Sequence, residues 1–349
     1  MDHGADTLGL DGTYTDPVWG VTVDLRPLER DLLRTWWVRR LQFVAHAGAA
    51  ALVTTQSGSR LEHSLGVLAL VAHFRDDDDA GRAAALLHDI GHLPFSHTAE
   101  GVRGLDHHHL GIERLATLAP LLDRYGLDVR QVADRLRRAG NGPLASAHGM
   151  LTLDHLDSFV RSGHRQGRLR VSGHEVLSRS RLRGGAVSTD ADTADELGRL
   201  VVAEARSQLS PANVLATGLL RHWTELVLRG AAPQEVSRAA AATDDELWTL
   251  LRTDERTRHD VERFRRDPAR WDVGGGRPGT TAYTTFRVRR LYLTLPHVEG
   301  EDASAQEATR AARTFGHLPV PPLDHVISWQ DPDGTPWTGP SNLQIGGTA

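Results

Sequence analysis

LLHDIGHLPFSH, residues 86–97, runs an apolar helix into a histidine and an aspartate, follows them with a glycine, and adds two further histidines, His92 and His97. Adjacent side chains on a helix diverge by about 100°. His88 and Asp89 can therefore address one cation only where the helix is ending and a pocket opens between them, which Gly91 permits. Working outward, His63 sits in RLEHSLG (60–66) at the start of an upstream helix, and Asp154 sits in LTLDHLD (151–157) near the start of a later one. Three helices that bring His, His-Asp and Asp to a common point form a metal centre of the kind all-helical folds build from facing side chains. Imidazole and carboxylate suit Mn, Co, Fe, Ni or Zn and, with more oxygen ligands, Mg. Twelve of the 19 histidines fall between His46 and His164, so the signal is regional. A lone buried histidine is ordinarily a satisfied core group, the reading for His46, His73, His148 and His222 taken singly; the quartet His63, His88, Asp89 and Asp154 reads as metal ligands.

These segments, with RRLQFVAHAG (39–48) before them and DHHHLG (106–111) between them, resemble in order and spacing the HD-domain metal phosphohydrolases. The branch they look most like contains the deoxynucleoside triphosphate triphosphohydrolases, including the sterile-alpha-motif HD enzyme. The resemblance covers about Arg39 to Gly163 and is fainter beyond, in TDDELWTLL (243–251) and FRVRRLYL (286–293). It implies a divalent metal on His63, His88, Asp89 and Asp154. It also implies His92 and His97 as phosphate binders or proton carriers, Glu100 orienting His97, and His108 as general acid, with the register open to His107 or His109. Arg60 and Arg161 match positions beside phosphate or metal ligands, and Arg161 reads equally as a helix-face salt bridge. The implied substrate is a nucleotide and the implied reaction its hydrolysis at phosphorus, giving nucleoside plus tripolyphosphate or phosphate.

Part of the implied pocket is altered. His155 stands where the branch has Lys, Ser158 where it has Tyr, Ser162 where it has a second Asp, and His46 where it has a base-proximal Gln. The changes point to a modified nucleotide or a monophosphate. Two other classes stay open: a non-catalytic nucleotide-binding HD regulatory module, and an HD oxygenase with a di-iron centre. A cyclic-nucleotide phosphodiesterase of the HD-GYP kind is disfavoured, because no GYP-like sequence follows the HD segment.

Apolar periodicity predicts a mainly helical chain with a helical C-terminal extension and a short β element, and the resemblance implies that its core is an HD-domain helical bundle. Residues 1–24 read as an N-terminal arm with at most a strand at Val18–Val23, 25–177 as the core, 178–193 as a Gly/Ser/Asp-rich linker and 194–349 as the C-terminal region. The predicted helices are 28–41, 61–74, 81–90, 112–122, 129–139, 151–161, 194–209, 215–228, 233–241 and 244–252, with an Arg-rich helix after 256. TTAYTTFRVRRLYLTL (280–295) alternates as a strand, and the last thirty or so residues read as a loose tail.

Composition bounds the rest. The chain of 349 residues has no cysteine, which removes thiolate ligands, nucleophilic cysteine and disulfides, and fits the reducing cytoplasm. All 40 Lys+Arg are arginine, which argues against Schiff-base lysine and a P-loop. A net charge of −5 argues against a broad nucleic-acid surface but leaves room for local arginine pockets. The longest apolar run, Leu65 to Ala72, is too short for a membrane span, and the first residues lack the basic and apolar regions of a secretory signal. A homo-oligomer is compatible with the family resemblance.

Overall fold

The computed structural model describes residues 12–136, 144, 150–274, 281–300 and 305–329. The first eleven residues of the expected arm and the tail from 330 lie outside the described residues.

The chain opens with a hairpin, β1 (Thr13–Asp16) and β2 (Val21–Asp24), paired antiparallel. Residues 12–24 are thus not a loose arm: Trp19 and Asp16 are both fully buried. Helix α1 (Pro27–Arg34) starts on a first-turn proline and stops where Thr35 turns extended, so the expected helix 28–41 divides into α1, α2 (Trp36–Arg39) and a 3₁₀ turn. Helix α3 (Arg60–Phe74) is set by a capping box, in which Ser59 Oγ accepts from Glu62 N and Glu62 accepts from Ser59 N. Helix α4 (Asp79–Leu87) is capped by Asp78, whose carboxylate accepts from Gly81 N. Then follow α5 (His107–Thr117), α6 (Ala119–Arg124), α7 (Val129–Leu136), α8 (Leu153–Arg165, capped by Thr152) and α9 (Gly173–Ser178).

Residues 178–193 are not an irregular linker. Strands β3 (Ser180–Arg183) and β4 (Ala186–Thr189) form a hairpin there, turned through Gly184 and Gly185, both with positive φ. The C-terminal half holds α10 (Ala191–Gln208), α11 (Pro211–Leu228), α12 (Pro233–Ala241), α13 (Asp244–Thr253), α14 (Arg258–Arg266), β5 (Trp271–Val273), β6 (Thr281–Val288), β7 (His297–Val298), α15 (Ala305–Phe315) and β8 (Leu323–Trp329). Strand β7 runs parallel to β4, while β8 lies between β5 and β6, antiparallel to both. The predicted strand over 280–295 is therefore real through residue 288.

Two cores result. The larger one surrounds α3, α4 and α8, with Leu65, Leu68, Leu86 and Leu156 fully buried. The second is aromatic and gathers Trp223, Phe264, Trp271 and Tyr283 around α11 and the β5–β8–β6 sheet. The chemistry-bearing residues sit where α3, the end of α4 and α8 meet.

Candidate metal centre

Each ligand is delivered by a local feature of its own. His63 lies one turn into α3, downstream of the capping box. His88 is the C-terminal residue that closes α4, and Asp154 is in the first turn of α8, where the helix dipole favours an anion. The Nε2 atoms of His63 and His88 face each other at 3.2 Å, and Asp154 Oδ1 lies 3.1 Å from the first and 3.8 Å from the second. Asp89 approaches the same point, with Oδ1 3.4 Å from His88 Nε2 and Oδ2 3.9 Å from His63 Nε2. The quartet read from the sequence is brought together.

The outward nitrogens of both imidazoles are already committed. His63 Nδ1 lies 2.8 Å from Asp157 Oδ2, and His88 Nδ1 lies 2.9 Å from the Ala85 carbonyl. Both partners are acceptors, so each Nδ1 carries a proton and each Nε2 presents a lone pair inward in the neutral ring. Two converging lone pairs beside two carboxylates need a cation between them, so the residues fit a divalent metal ion. Without one, burial disfavours a charged His63, but hydrogen bonds to Asp154 and Asp157 outweigh it and push its pKa up to about 9. A bound metal would compete for that same position.

The support behind the ligands is charged and buried. Asp157 accepts from Trp19 Nε1 at 2.6 Å and from Arg161 Nε and Nη2 at 2.9 and 2.8 Å; Arg161 also reaches Asp16 at 2.7 Å. Burial opposes the ionised form of Asp157, yet Arg161 and His63 hold its carboxyl well below the usual range. Of the two readings open for Arg161, the salt bridge along its own helix is the one present, and it fixes Asp157, the partner of His63. Arg60 stands beside a ligand, as its position implied: Nη1 donates to Asp89 Oδ2 at 2.7 Å, Nε to Ser96 Oγ at 2.8 Å and Nη2 to the His46 carbonyl at 3.5 Å. Its fork thereby aims Asp89.

A second histidine cluster adjoins the first through Asp89, whose Oδ1 is 3.0 Å from His92 Nε2. The His92 and His107 rings stack at 4.6 Å, with His97 edge-on to both. His92 Nδ1 is buried without a hydrogen-bond partner among the described residues. Burial, then Arg60 for His92 and His92 itself for His97, keeps both imidazoles well below the ordinary range. Of the three consecutive histidines, His107 is the one that packs against His92 and His97. As the first residue of α5 it faces the cluster and bonds Glu100 Oε2 through Nδ1 at 2.8 Å, whereas His108, turned by a helical step, is exposed. Glu100 therefore orients His107 and not His97. Gly91 permits this approach, since a Cβ there would lie 2.0 Å from the His107 carbonyl.

Beyond the histidines opens a cavity of about 670 Å³. His46 lines it, its ring tilted against that of His63 at 4.6 Å and its Nε2 3.4 Å from Ser158 Oγ. Its far walls come from the C-terminal half: Glu204, Arg221, Arg289, Arg290 and Tyr292. Tyr292 packs between His97 and His155, at 6.4 and 5.6 Å, with Arg290 over its ring. Spacing could not find these wall residues, because they lie far along the chain from the motif. Asp157 had a signal, standing one helical turn after Asp154.

The HD domain family model matches residues 60–178. A metal-dependent phosphohydrolase of Cordyceps militaris, cns2, is 27% identical over 257 residues, 68% of this chain and 72% of that protein. A deoxyguanosinetriphosphate triphosphohydrolase-like protein of Brucella anthropi is 32% identical over 146 residues, 35% of this chain and 34% of that one. The chain spans only 28% and 31% of the length of two further curated relatives, both uncharacterized. A phosphohydrolase structure from Bacteroides thetaiotaomicron superposes with a TM-score of 0.65 at 15% identity, covering 91% of this chain and 99% of that one, and so shares the fold. Residues 60–178 thus match the HD domain and carry the converging His63, His88, Asp89 and Asp154, and the chain is similar to metal-dependent phosphohydrolases.

Proposed function

We propose that this protein is a metal-dependent hydrolase of nucleotide phosphate bonds. The observation that carries the reading is the pair of imidazole lone pairs facing Asp154 and Asp89, beside a cavity that His46 and His97 line and that Arg289 and Arg290 help to wall. The nucleotide is drawn from the triphosphohydrolase-like relative. A divalent ion on His63, His88, Asp89 and Asp154 would polarise a phosphoryl oxygen and lower the pKa of water at the site.

The chain's own residues supply the rest. Arg289 and Arg290 line the cavity and offer planar forks to phosphate oxygens, which favours a triphosphate over a monophosphate. His107, held at Nδ1 by Glu100, turns its other ring nitrogen to the cluster and is the group we assign to the departing oxygen. His92 and His97, neutral near physiological pH, hold the phosphoryl group by single hydrogen bonds. His46, His155 and Ser158 replace the larger groups of the resembled branch around sugar and base, which supports a modified nucleotide as substrate. A chain without cysteine suits a reducing compartment, so we place it in the cytoplasm; among the described residues no helix is long and apolar enough to cross a membrane.

Metal per chain and products from a panel of nucleoside mono- and triphosphates, with Mn, Co or Mg, test the proposal. Nucleoside plus phosphate or tripolyphosphate, with one metal per chain, is expected; bound metal with no hydrolysis of any member would refute it. A second reading draws on the His92, His97 and His107 donors, which lie within 4.8 Å of one another and could hold another ion. Two irons per chain with oxygen consumption would favour that di-iron oxygenase over the hydrolase.

A further inference from the structure

Asp244 opens α13, well outside the matched segment 60–178, yet its carboxylate reaches two backbone amides that flank the site. Oδ1 accepts from Phe95 N at 2.5 Å and Oδ2 accepts from Ala45 N at 2.8 Å. Phe95 and Ser96 are consecutive non-glycine residues in the left-handed region, with φ of 52° and 58°. Such backbone is disfavoured for residues with a Cβ and persists only where surrounding contacts over-determine it.

The contacts that do so form a closed circuit. Asp244 holds the Ala45 and Phe95 amides, and Ser96 Oγ donates to the Ala45 carbonyl at 2.5 Å while accepting from Arg60 Nε at 2.8 Å. Arg60 in turn aims Asp89. Two buried arginines fasten the same corner of the C-terminal region to the loop. Arg40 donates to the carbonyls of Ala241, Ala242 and His92, and Arg114 to those of Ala240, Ile90 and His92. The residue after the left-handed pair is His97.

We propose that Asp244 is a positioning residue: from outside the HD segment it pins the left-handed Phe95–Ser96 turn, and through it sets the aim of His97 and of the Ser96–Arg60–Asp89 chain. The inference rests on the hydrolase reading for its catalytic consequence, and on geometry alone for the pinning. It assigns the C-terminal region a direct part in completing the site, beyond walling the cavity.

Asp244→Ala removes both acceptors, and Asp244→Asn keeps one. Hydrogen exchange of the full-length protein, read over residues 93–98, tests the pinning. Exchange there should quicken at least about tenfold in Asp244→Ala, and less in Asp244→Asn, with α3 and α8 unchanged. Turnover of the best panel nucleotide tests the consequence. A misplacement of this kind should lower kcat by about 10²-fold with KM and metal per chain unchanged, and Asp244→Asn should recover part of it. Unaltered exchange at 93–98, or kcat within about twofold of the parent, would overturn the proposal, as would loss of exchange protection throughout both cores. If Asp244→Ala does not fold, Asp244→Asn carries both readouts by the same criteria. If the unaltered protein hydrolyses nothing, the hydrolase reading falls, and exchange still decides whether Asp244 holds the turn.

Discussion

Asp157 in the HD core and Asp260 in the aromatic unit are both buried carboxylates held by an arginine and tied to a tryptophan N–H, and they end differently. Asp260 accepts from the Tyr283 hydroxyl at 2.8 Å, Tyr283 accepts from Trp223 Nε1 at 2.9 Å, and Arg263 closes the set at 3.3 Å. That chain satisfies itself. Asp157 accepts from Trp19 and Arg161 but passes its remaining oxygen to His63, whose far nitrogen faces His88 and Asp154. A buried polar network that closes on itself serves stability, whereas one that ends on a converging lone pair leaves room for a ligand.

The harshest way to break this contrast is to remove ligands. His88→Ala with Asp89→Ala should abolish stoichiometric metal and lower hydrolysis by about 10³-fold or more, read by metal analysis and product formation. Retained metal with retained turnover would move the centre elsewhere. One step back, Asp157→Asn should weaken metal binding by about 10- to 100-fold, because His63 Nδ1 keeps at most a neutral amide oxygen in place of the carboxylate that raises its basicity. Asp260→Asn should leave the metal affinity unchanged and cost about 1–3 kcal/mol of stability. Equal losses of metal affinity in the two variants would erase the distinction.

Asp244 sharpens the contrast through pH. Burial raises its carboxyl from 3.8 to about 6, against the opposing pull of the Phe95 and Ala45 amides and of Arg40 and Arg60. Below about pH 4 the group is protonated folded or unfolded. Between about 4 and 6 the folded state keeps a proton that the unfolded state has lost, so its contribution to stability falls as pH rises through the window and levels off above. The parent, measured against Asp244→Asn in chelator, should lose about 2–3 kcal/mol across that interval. A flat difference in denaturant titrations would show that Asp244 is not desolvated as described.

How much of this was legible follows from how far apart the cooperating residues lie. His63, His88, Asp89 and Asp154 each sit at a helix end with a local signal, such as the Ser59 cap or the break at Gly91, so their convergence could be read from spacing. Arg60 and Arg161 are legible as residues beside the site, but sequence does not show which carboxylates they serve, Asp89 for the first and Asp157 with Asp16 for the second. Glu100 was matched to His97 because the helical phase of the triple histidine depends on where α5 starts. The hairpin over 180–189 was taken for a linker although Arg183-Gly184-Gly185-Ala186 is a two-residue turn sequence; its Ser and Asp content masked the strands. Asp244, Arg289, Arg290 and Tyr292 reach the site only through tertiary packing.

The mildest test compares the two tryptophans. Trp223→Phe deletes a neutral donor to Tyr283, whose hydroxyl still has Asp260, and should cost about 1 kcal/mol of stability with no change in metal affinity. Trp19→Phe deletes the donor to Asp157 Oδ1, an oxygen that Arg161 also serves, so its stability cost should be similar. Its second effect should be distinct: Asp157 becomes freer to rotate against His63, and metal binding should weaken by a few-fold, within the lower part of the range for outer partners of a metal ligand. Calorimetric metal titration of both variants reads the difference. If Trp223→Phe weakened the metal and Trp19→Phe did not, the assignment of one network to the site and the other to the scaffold would be reversed.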